Sequence, residues 1–181
     1  MLNNLAMKTP PQTAVLARWN ALDAEAAARD ILPCCGSRGW AQALATRRPF
    51  AGAEELFEAS DAVWAGLPED DWREAFDSHP RIGQQHARAA TAESLAWSSE
   101  EQRTAMSDED AIKLALADGN RQYEERFGRI FIVCASGKSA AEMLAILKVR
   151  MHNDAATEML EAAEQQRQIT QLRLRRWLGV N

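Results

Sequence analysis

The chain is 181 residues long, 46% apolar and 26% charged, a balance that excludes an intrinsically disordered protein and leaves enough chain for one domain with a real core. A formal net charge of -5 argues against a nucleic-acid partner, and no apolar run approaches the ~20 residues of a membrane span. The three cysteines, Cys34, Cys35 and Cys134, lack zinc-type spacing, and adjacent Cys34 and Cys35 pair poorly with each other, so reduced thiols are expected. The first residues lack the basic-then-apolar order of a signal peptide, and Gly179-Val180-Asn181 is not the Ser-Lys-Leu peroxisomal address. The cytoplasm is therefore the expected compartment.

In chain order the sequence reads helix after helix. Residues 1–10 read as a loose extension. Residues 11–30 are rich in Ala, Leu, Glu and Arg, all good helix formers. Pro33, Gly36 and Gly39 break the chain before a helical stretch over 40–46, which Pro49 closes. Residues 53–65 read as the next helix, ending at Gly66. Pro68 suits an early helical position and opens a short helix through Asp77. A turn over 79–83 follows. From Ser98 a helical pattern runs towards Gly128, with Ser107 starting a second segment and Gly119 a weak point costing about 1 kcal/mol against alanine. Residues 130–134 form the only β-rich run, short and without an obvious partner, and read as an extended connector. Ser136-Gly137-Lys138 turns the chain into a helix over 139–151. Asn153 or Asp154 then caps a long last helix to about residue 177. Arg173, Arg175 and Arg176 near its end complement the helix macrodipole. The fold expected is all-α, a single-domain compact bundle of roughly eight helices over 11–181.

The pentapeptide His79-Pro80-Arg81-Ile82-Gly83 is the strongest local signal. A residue before proline is pushed out of the α region, so His79 is held in an extended turn, and Gly83 permits a tight backbone. Two readings stand: a helix-ending turn whose histidine caps something, or an imidazole presented to move protons near neutral pH. Ser98-x-x-Glu101 is a capping-box pattern, used again at Ser139-x-x-Glu142. Gln102 adds an amide that both donates and accepts, as a ligand bearing urea groups requires. Arg150 lies seven residues after Met143 and four after Ile146, on the apolar face of its helix. An arginine on such a face needs a partner, because burying its charge unpaired costs several kcal/mol. It snorkels to solvent, pairs with an internal carboxylate such as Glu101, or leaves its fork open for an anionic substrate. His79, His86 and His152 make no familiar metal pattern, and no metal is expected.

Taken together and in order, these residues resemble the 2-oxo-4-hydroxy-4-carboxy-5-ureidoimidazoline (OHCU) decarboxylases, which complete the route from urate to (S)-allantoin. The resemblance rests on His79-Pro80-Arg81-Ile82-Gly83, on Ser98-Ser99-Glu100-Glu101-Gln102, and on Phe127-Gly128 followed by Phe131-Ile132-Val133-Cys134-Ala135 and Gly137-Lys138-Ser139. It continues through Glu142, Leu144, Leu147, Arg150, Asn153-Asp154 and Glu158 to Leu172-Arg173-Leu174, and Trp40 and Arg48-Pro49-Phe50 also fit. Residues before about 20 are not covered, and Gln84 and Gln85 stand where relatives often carry smaller or acidic residues. The resemblance implies a compact all-α homodimer that uses neither metal nor organic cofactor and acts on a small ureidoimidazoline. It implies catalytic roles for His79, Glu101 and Arg150, and substrate contacts from Ser98, Gln102, Pro80, Phe131 and Ile132. On that pattern His79 handles the proton and Glu101 orients it or binds ureido N–H groups. Ser98 and Gln102 hold the ureido and ring amides, and Arg150 grips an oxygen anion. Two rivals share the resemblance: an interaction protein that kept the fold without the activity, and an enzyme that hydrolyses a related ureide.

Overall fold

A computed structural model describes residues 14–79 and 108–180 of the chain. Among these residues the fold is all-α, with no strand. Its eight α-helices are α1 (Ala14–Asn20), α2 (Ala24–Ile31), α3 (Arg38–Thr46), α4 (Ala53–Ala65), α5 (Glu69–Asp77), α6 (Asp108–Phe127), α7 (Ala140–Arg150) and α8 (Ala155–Leu178). A short 3-10 turn, Leu32–Cys34, lies between α2 and α3. Contacts divide the chain into two compact units, Met1–Ala75 with Arg167–Asn181, and Phe76–Gln166.

In the first unit the helical stretch expected over 11–30 is two helices, and Asp23 is the reason. Its carboxylate accepts from the Ala26 N–H at 2.8 Å, capping α2 and ending the register of α1. That same hydrogen bond holds the exposed carboxyl below its ordinary range. Leu16 and Trp19 from α1, Ala27 and Ile31 from α2, and Trp40 and Leu44 from α3 are then fully buried. The Trp19 indole N–H donates to the Ala27 carbonyl at 2.9 Å. Its ring stacks on Phe50 with centroids 6.0 Å apart and meets Trp177 edge-on at 5.7 Å. An aromatic side chain buries ~150–250 Å², worth roughly 4–6 kcal/mol, so this cluster dominates the local core. Arg48 answers the carbonyls that helix ends leave open: Nη1 reaches Trp19 O at 2.5 Å and Leu22 O at 2.9 Å, and Nε reaches Ala45 O at 2.8 Å.

Gly39 does not break the chain ahead of α3; it lies in the first turn. Ser37 caps that helix by accepting from the Trp40 N–H at 3.1 Å. A Cβ at Gly39 would sit 2.7 Å from Cγ of Asp71, so the glycine is there to let α5 come close. α4 begins behind Gly52 and ends at Gly66, as the sequence predicts. In the C-terminal part of α8, Arg167 pairs with Asp61 at 2.8 Å, and the Gln171 amide donates to Phe57 O at 3.0 Å and Asp61 Oδ1 at 2.7 Å. The arginines expected to serve the macrodipole also make tertiary contacts. Arg175 lies 4.4 Å over the Phe57 ring and Arg173 donates to Pro33 O at 3.3 Å. Cys34 and Cys35 are both buried and in no disulfide.

In the second unit α6 stops at Gly128, whose φ of 67° is left-handed and whose N–H returns to Glu124 O at 2.8 Å. The expected start of a segment at Ser107 lies outside the described residues. Gly119, the weak point of the sequence, has a packing reason: a Cβ there would meet Leu147 Cδ2 at 2.9 Å. Leu116, Tyr123, Phe127, Phe131, Val133 and Leu147 form the core of this unit. Residues 130–135 adopt neither helix nor strand. α7 opens with a complete capping box, in which Ser139 Oγ accepts from the Glu142 N–H at 3.3 Å and Glu142 Oε2 accepts from the Ser139 N–H at 2.7 Å. Asp154, not Asn153, caps α8, accepting from the N–H groups of Ala156 and Thr157 at 3.0 and 2.9 Å.

Candidate active site

Proline at position 80 forbids α5 from continuing, and the chain leaves the helix at Ser78 and His79. The His79 N–H returns to Phe76 O at 3.1 Å, and the fully buried Phe76 ring fixes this end of the helix. The imidazole is half-buried. Its Nε2 lies 2.7 Å from Oε1 of Gln166, an α8 side chain with zero exposure. A buried amide is costly without partners, so this contact is an anchor for both side chains. Pro80 and the rest of the turn lie outside the described residues.

Arg150 closes α7 and is buried, 4% exposed. Its Nε and Nη2 donate to Glu158 Oε1 at 3.0 and 2.6 Å, and Nη1 donates to the Ile132 carbonyl at 2.7 Å. The carboxylate that meets Arg150 is thus Glu158, itself fully buried. The hydroxyl of Tyr123 also donates to Glu158 Oε1, and the Asn153 amide donates to Oε2 at 2.8 Å. Burial first, and then the Glu158 carboxylate, push the Tyr123 phenol well above its ordinary value, so it remains a donor. The guanidinium lies 4.7 Å over the Phe131 ring, whose edge meets Tyr123 at 5.2 Å. Hydrogen bonds to charged groups contribute roughly 1.5–3 kcal/mol each, so this network holds its side chains firmly in place.

The connector 130–135 is held between these anchors. Arg150 takes the Ile132 carbonyl, Gln165 Oε1 takes the Cys134 N–H at 2.9 Å, and Lys138 Nζ donates to the Cys134 carbonyl at 2.8 Å. Side chains thus satisfy the backbone that a neighbouring strand would otherwise satisfy. Glu158, Gln165 and Gln166 all project from the first half of α8, and Glu158 and Gln166 stand eight residues, or ~12 Å of helix axis, apart. One helix therefore fixes His79, Arg150 and the connector.

Of the site residues expected from sequence, His79, Arg150, Phe131 and Ile132 all fall in the second unit. The side chains of Phe131 and Ile132 are buried. Ser98, Glu101, Gln102 and Pro80 lie outside the described residues. Tyr123, Gln165 and Gln166 were not singled out by sequence reasoning, and Glu158 entered only as part of a signature. Position offers one signal for them: Glu158, Ala162 and Gln166 recur every four residues, so all three share a face of α8. Among the described residues no group of three His, Cys, Asp or Glu side chains is set to hold a metal ion. No described helix is long and apolar enough to cross a membrane.

Comparison with known proteins places this arrangement. A family model described as OHCU decarboxylase matches residues 20–175. The uric acid degradation bifunctional protein TTL of Arabidopsis thaliana is 39% identical over 142 residues, covering 78% of this chain and 44% of that protein. The chain thus spans less than half the length of that bifunctional relative. The 2-oxo-4-hydroxy-4-carboxy-5-ureidoimidazoline decarboxylase of Amia calva is 32% identical over 136 residues, 74% of this chain and 77% of that one. A crystal structure of OHCU decarboxylase in the presence of (S)-allantoin superposes with a TM-score of 0.66 at 34% identity, covering 82% of this chain and 96% of the other. With a match that runs from the end of α1 almost to the end of α8, the chain belongs to the OHCU decarboxylase family.

Proposed function

We propose that this protein catalyses the cofactor-independent decarboxylation of OHCU, giving (S)-allantoin and CO₂. The observation that carries the reading is the family match over 20–175, which runs through His79, Glu101 and Arg150. It also runs through both units, which supports reading residues 11–181 as one decarboxylase domain.

The substrate explains why no electron sink is required of the protein. Its carboxylate and a hydroxyl share one ring carbon, and the neighbouring ureido-bearing carbon is doubly bonded to nitrogen. Breaking the C–CO₂ bond sends its electron pair into that imine. The hydroxyl then gives up its proton to become the ring carbonyl, and a proton is added to the ureido-bearing carbon, which sets the stereocentre. The protein has three tasks: hold the carboxylate out of the ring plane, stabilise the developing anion, and deliver the proton to one face.

His79 takes the hydroxyl proton and returns one to carbon; its placement at the edge of a helix end, half-buried and tethered, supports that role. Glu101 orients the imidazole or binds ureido N–H groups, and Ser98, Gln102 and Pro80 complete the substrate contacts, as the family resemblance implies. Arg150 is assigned a positioning role, supported by its contacts to Glu158 and the Ile132 carbonyl. It fixes the stretch that carries Phe131 and Ile132, read as one wall of the site. We extend the reading to a cytoplasmic homodimer acting on a small ureidoimidazoline: the buried thiols Cys34, Cys35 and Cys134, in no disulfide, support the compartment, and the family resemblance supports the dimer.

The test is His79→Ala assayed on OHCU generated in situ. Turnover is expected to fall about 10²–10⁴-fold with the thermal melt unchanged. Undiminished turnover from a variant with an unchanged melt would remove His79 from the chemistry.

A further inference from the structure

We propose that Gln166 is the positioning residue that fixes the tautomer of His79, so that Nε2 keeps its proton and Nδ1 is the nitrogen through which protons pass. The proposal rests on the decarboxylase reading for its catalytic meaning, but its structural half stands without it. Gln166 is a polar side chain with zero exposure on a helix face otherwise used for core packing by Ala162 and for the Arg150 partner Glu158. Such a residue is tolerated only where its amide is answered. The answer is His79: 2.7 Å from Oε1 to Nε2 is at the short end of the range for an N–H donor and a carbonyl acceptor.

An amide oxygen only accepts, so the imidazole nitrogen facing it must carry the hydrogen, in the neutral ring and in the imidazolium alike. A histidine whose two nitrogens exchange roles spends part of its time presenting the wrong one. Fixing Nε2 as donor removes that loss and also fixes the ring plane, which is the work an orienting partner does for a catalytic imidazole. The anchor is itself held in place: adjacent Gln165 accepts from the Cys134 N–H at 2.9 Å, so the same turn of α8 holds both the histidine and the connector. Protonation of the substrate from a single face requires that kind of fixed donor.

Nuclear magnetic resonance of ¹⁵N-labelled full-length protein reads the tautomer directly. The chain has 3 histidines, and His79→Gln identifies the signal of interest. At about pH 8.5, well above the ordinary imidazole value near 6.5, the wild-type ring is expected as the Nε2–H form. Gln166→Met, close to isosteric but without an acceptor, is expected to give a mixture of tautomers. It should lower kcat about 10–100-fold, the loss seen when the group orienting a metal-bound imidazole is removed, with KM changed less than about threefold. Gln166→Glu keeps an oxygen at the same place and is expected to restore the Nε2–H form and most of kcat.

A wild-type Nδ1–H ring overturns the proposal whether or not any variant folds. So does a folded Gln166→Met enzyme with unchanged kcat, which leaves the decarboxylase reading standing. Absence of turnover in the wild type instead overturns the decarboxylase reading and, with it, the catalytic meaning of Gln166, whatever tautomer is found.

Discussion

Replacing Glu158 by alanine is expected to be among the most damaging single changes in the second unit. Glu158 is fully buried and accepts from Tyr123, from Arg150 at 3.0 and 2.6 Å, and from Asn153 at 2.8 Å. Removing it strands the charge of Arg150, a residue 4% exposed, and breaking one side of a buried ion pair costs about 3–5 kcal/mol. The unanswered Tyr123 hydroxyl adds about 1–3 kcal/mol. The two losses share one network and overlap, giving roughly 4–6 kcal/mol in all. A domain has about 5–15 kcal/mol of stability in total, so the variant sits near its unfolding threshold, with a melting temperature lowered by roughly 10–20 °C. Arg150→Met combined with Glu158→Leu removes both charges and is expected to recover at least about 2 kcal/mol relative to Glu158→Ala. Urea unfolding followed by far-ultraviolet circular dichroism measures all three proteins. Glu158→Ala within about 1 kcal/mol of wild type, or a double variant no more stable than Glu158→Ala, would refute the reasoning.

Two further changes test the packing and the buried thiols. Gly119→Ala should gain about 1 kcal/mol of helix propensity, but its Cβ would meet Leu147 Cδ2 at 2.9 Å; a net loss of about 1 kcal/mol is expected, and Leu147→Ala in the same chain should turn the glycine substitution into a gain. Chemical denaturation of the four proteins reads this directly, and a gain in the Gly119→Ala single variant would show that Leu147 yields freely. Burial pushes Cys34 up to about 12 and Cys35 up to about 11 from an ordinary 9.0. Both folded values are raised, so the stability they contribute is complete below pH 9.0 and is lost as pH climbs towards 11 and 12. Unfolding free energy is expected to decline across that window, and at about pH 8 the native thiols should resist alkylation that unfolded protein undergoes readily. Labelling of the folded protein at the rate of free cysteine would contradict the burial.

What the sequence disclosed and what it concealed follow the range of the forces involved. The ends of α4 at Gly66, of α6 at Gly128 and the capping box of Ser139 and Glu142 are set by residues within one turn of the helix end, so local patterns reveal them. Asp23 is equally local, yet the run of helix formers around it masks the cap that divides α1 from α2. Gly39 and Gly119 look like breakers in sequence because the side chains that crowd them, Asp71 and Leu147, are 32 and 28 residues away. The same holds at the site. Helical spacing places Arg150 on the core face, but which carboxylate meets it depends on how α7 and α8 pack, and that partner is Glu158. Gln166 lies in the run Glu164-Gln165-Gln166-Arg167-Gln168, which reads as a solvated face. Only the three-dimensional structure shows that one of these five meets His79.

The central claim is that this chain decarboxylates OHCU and protonates the product on one face. The most direct test generates OHCU from urate in situ and follows its ultraviolet decay and the circular dichroism of the product, with and without the protein. Accelerated loss accompanied by the optical signal of (S)-allantoin is the predicted result. Decay at the spontaneous rate, giving racemic allantoin in the presence of folded protein, would contradict it.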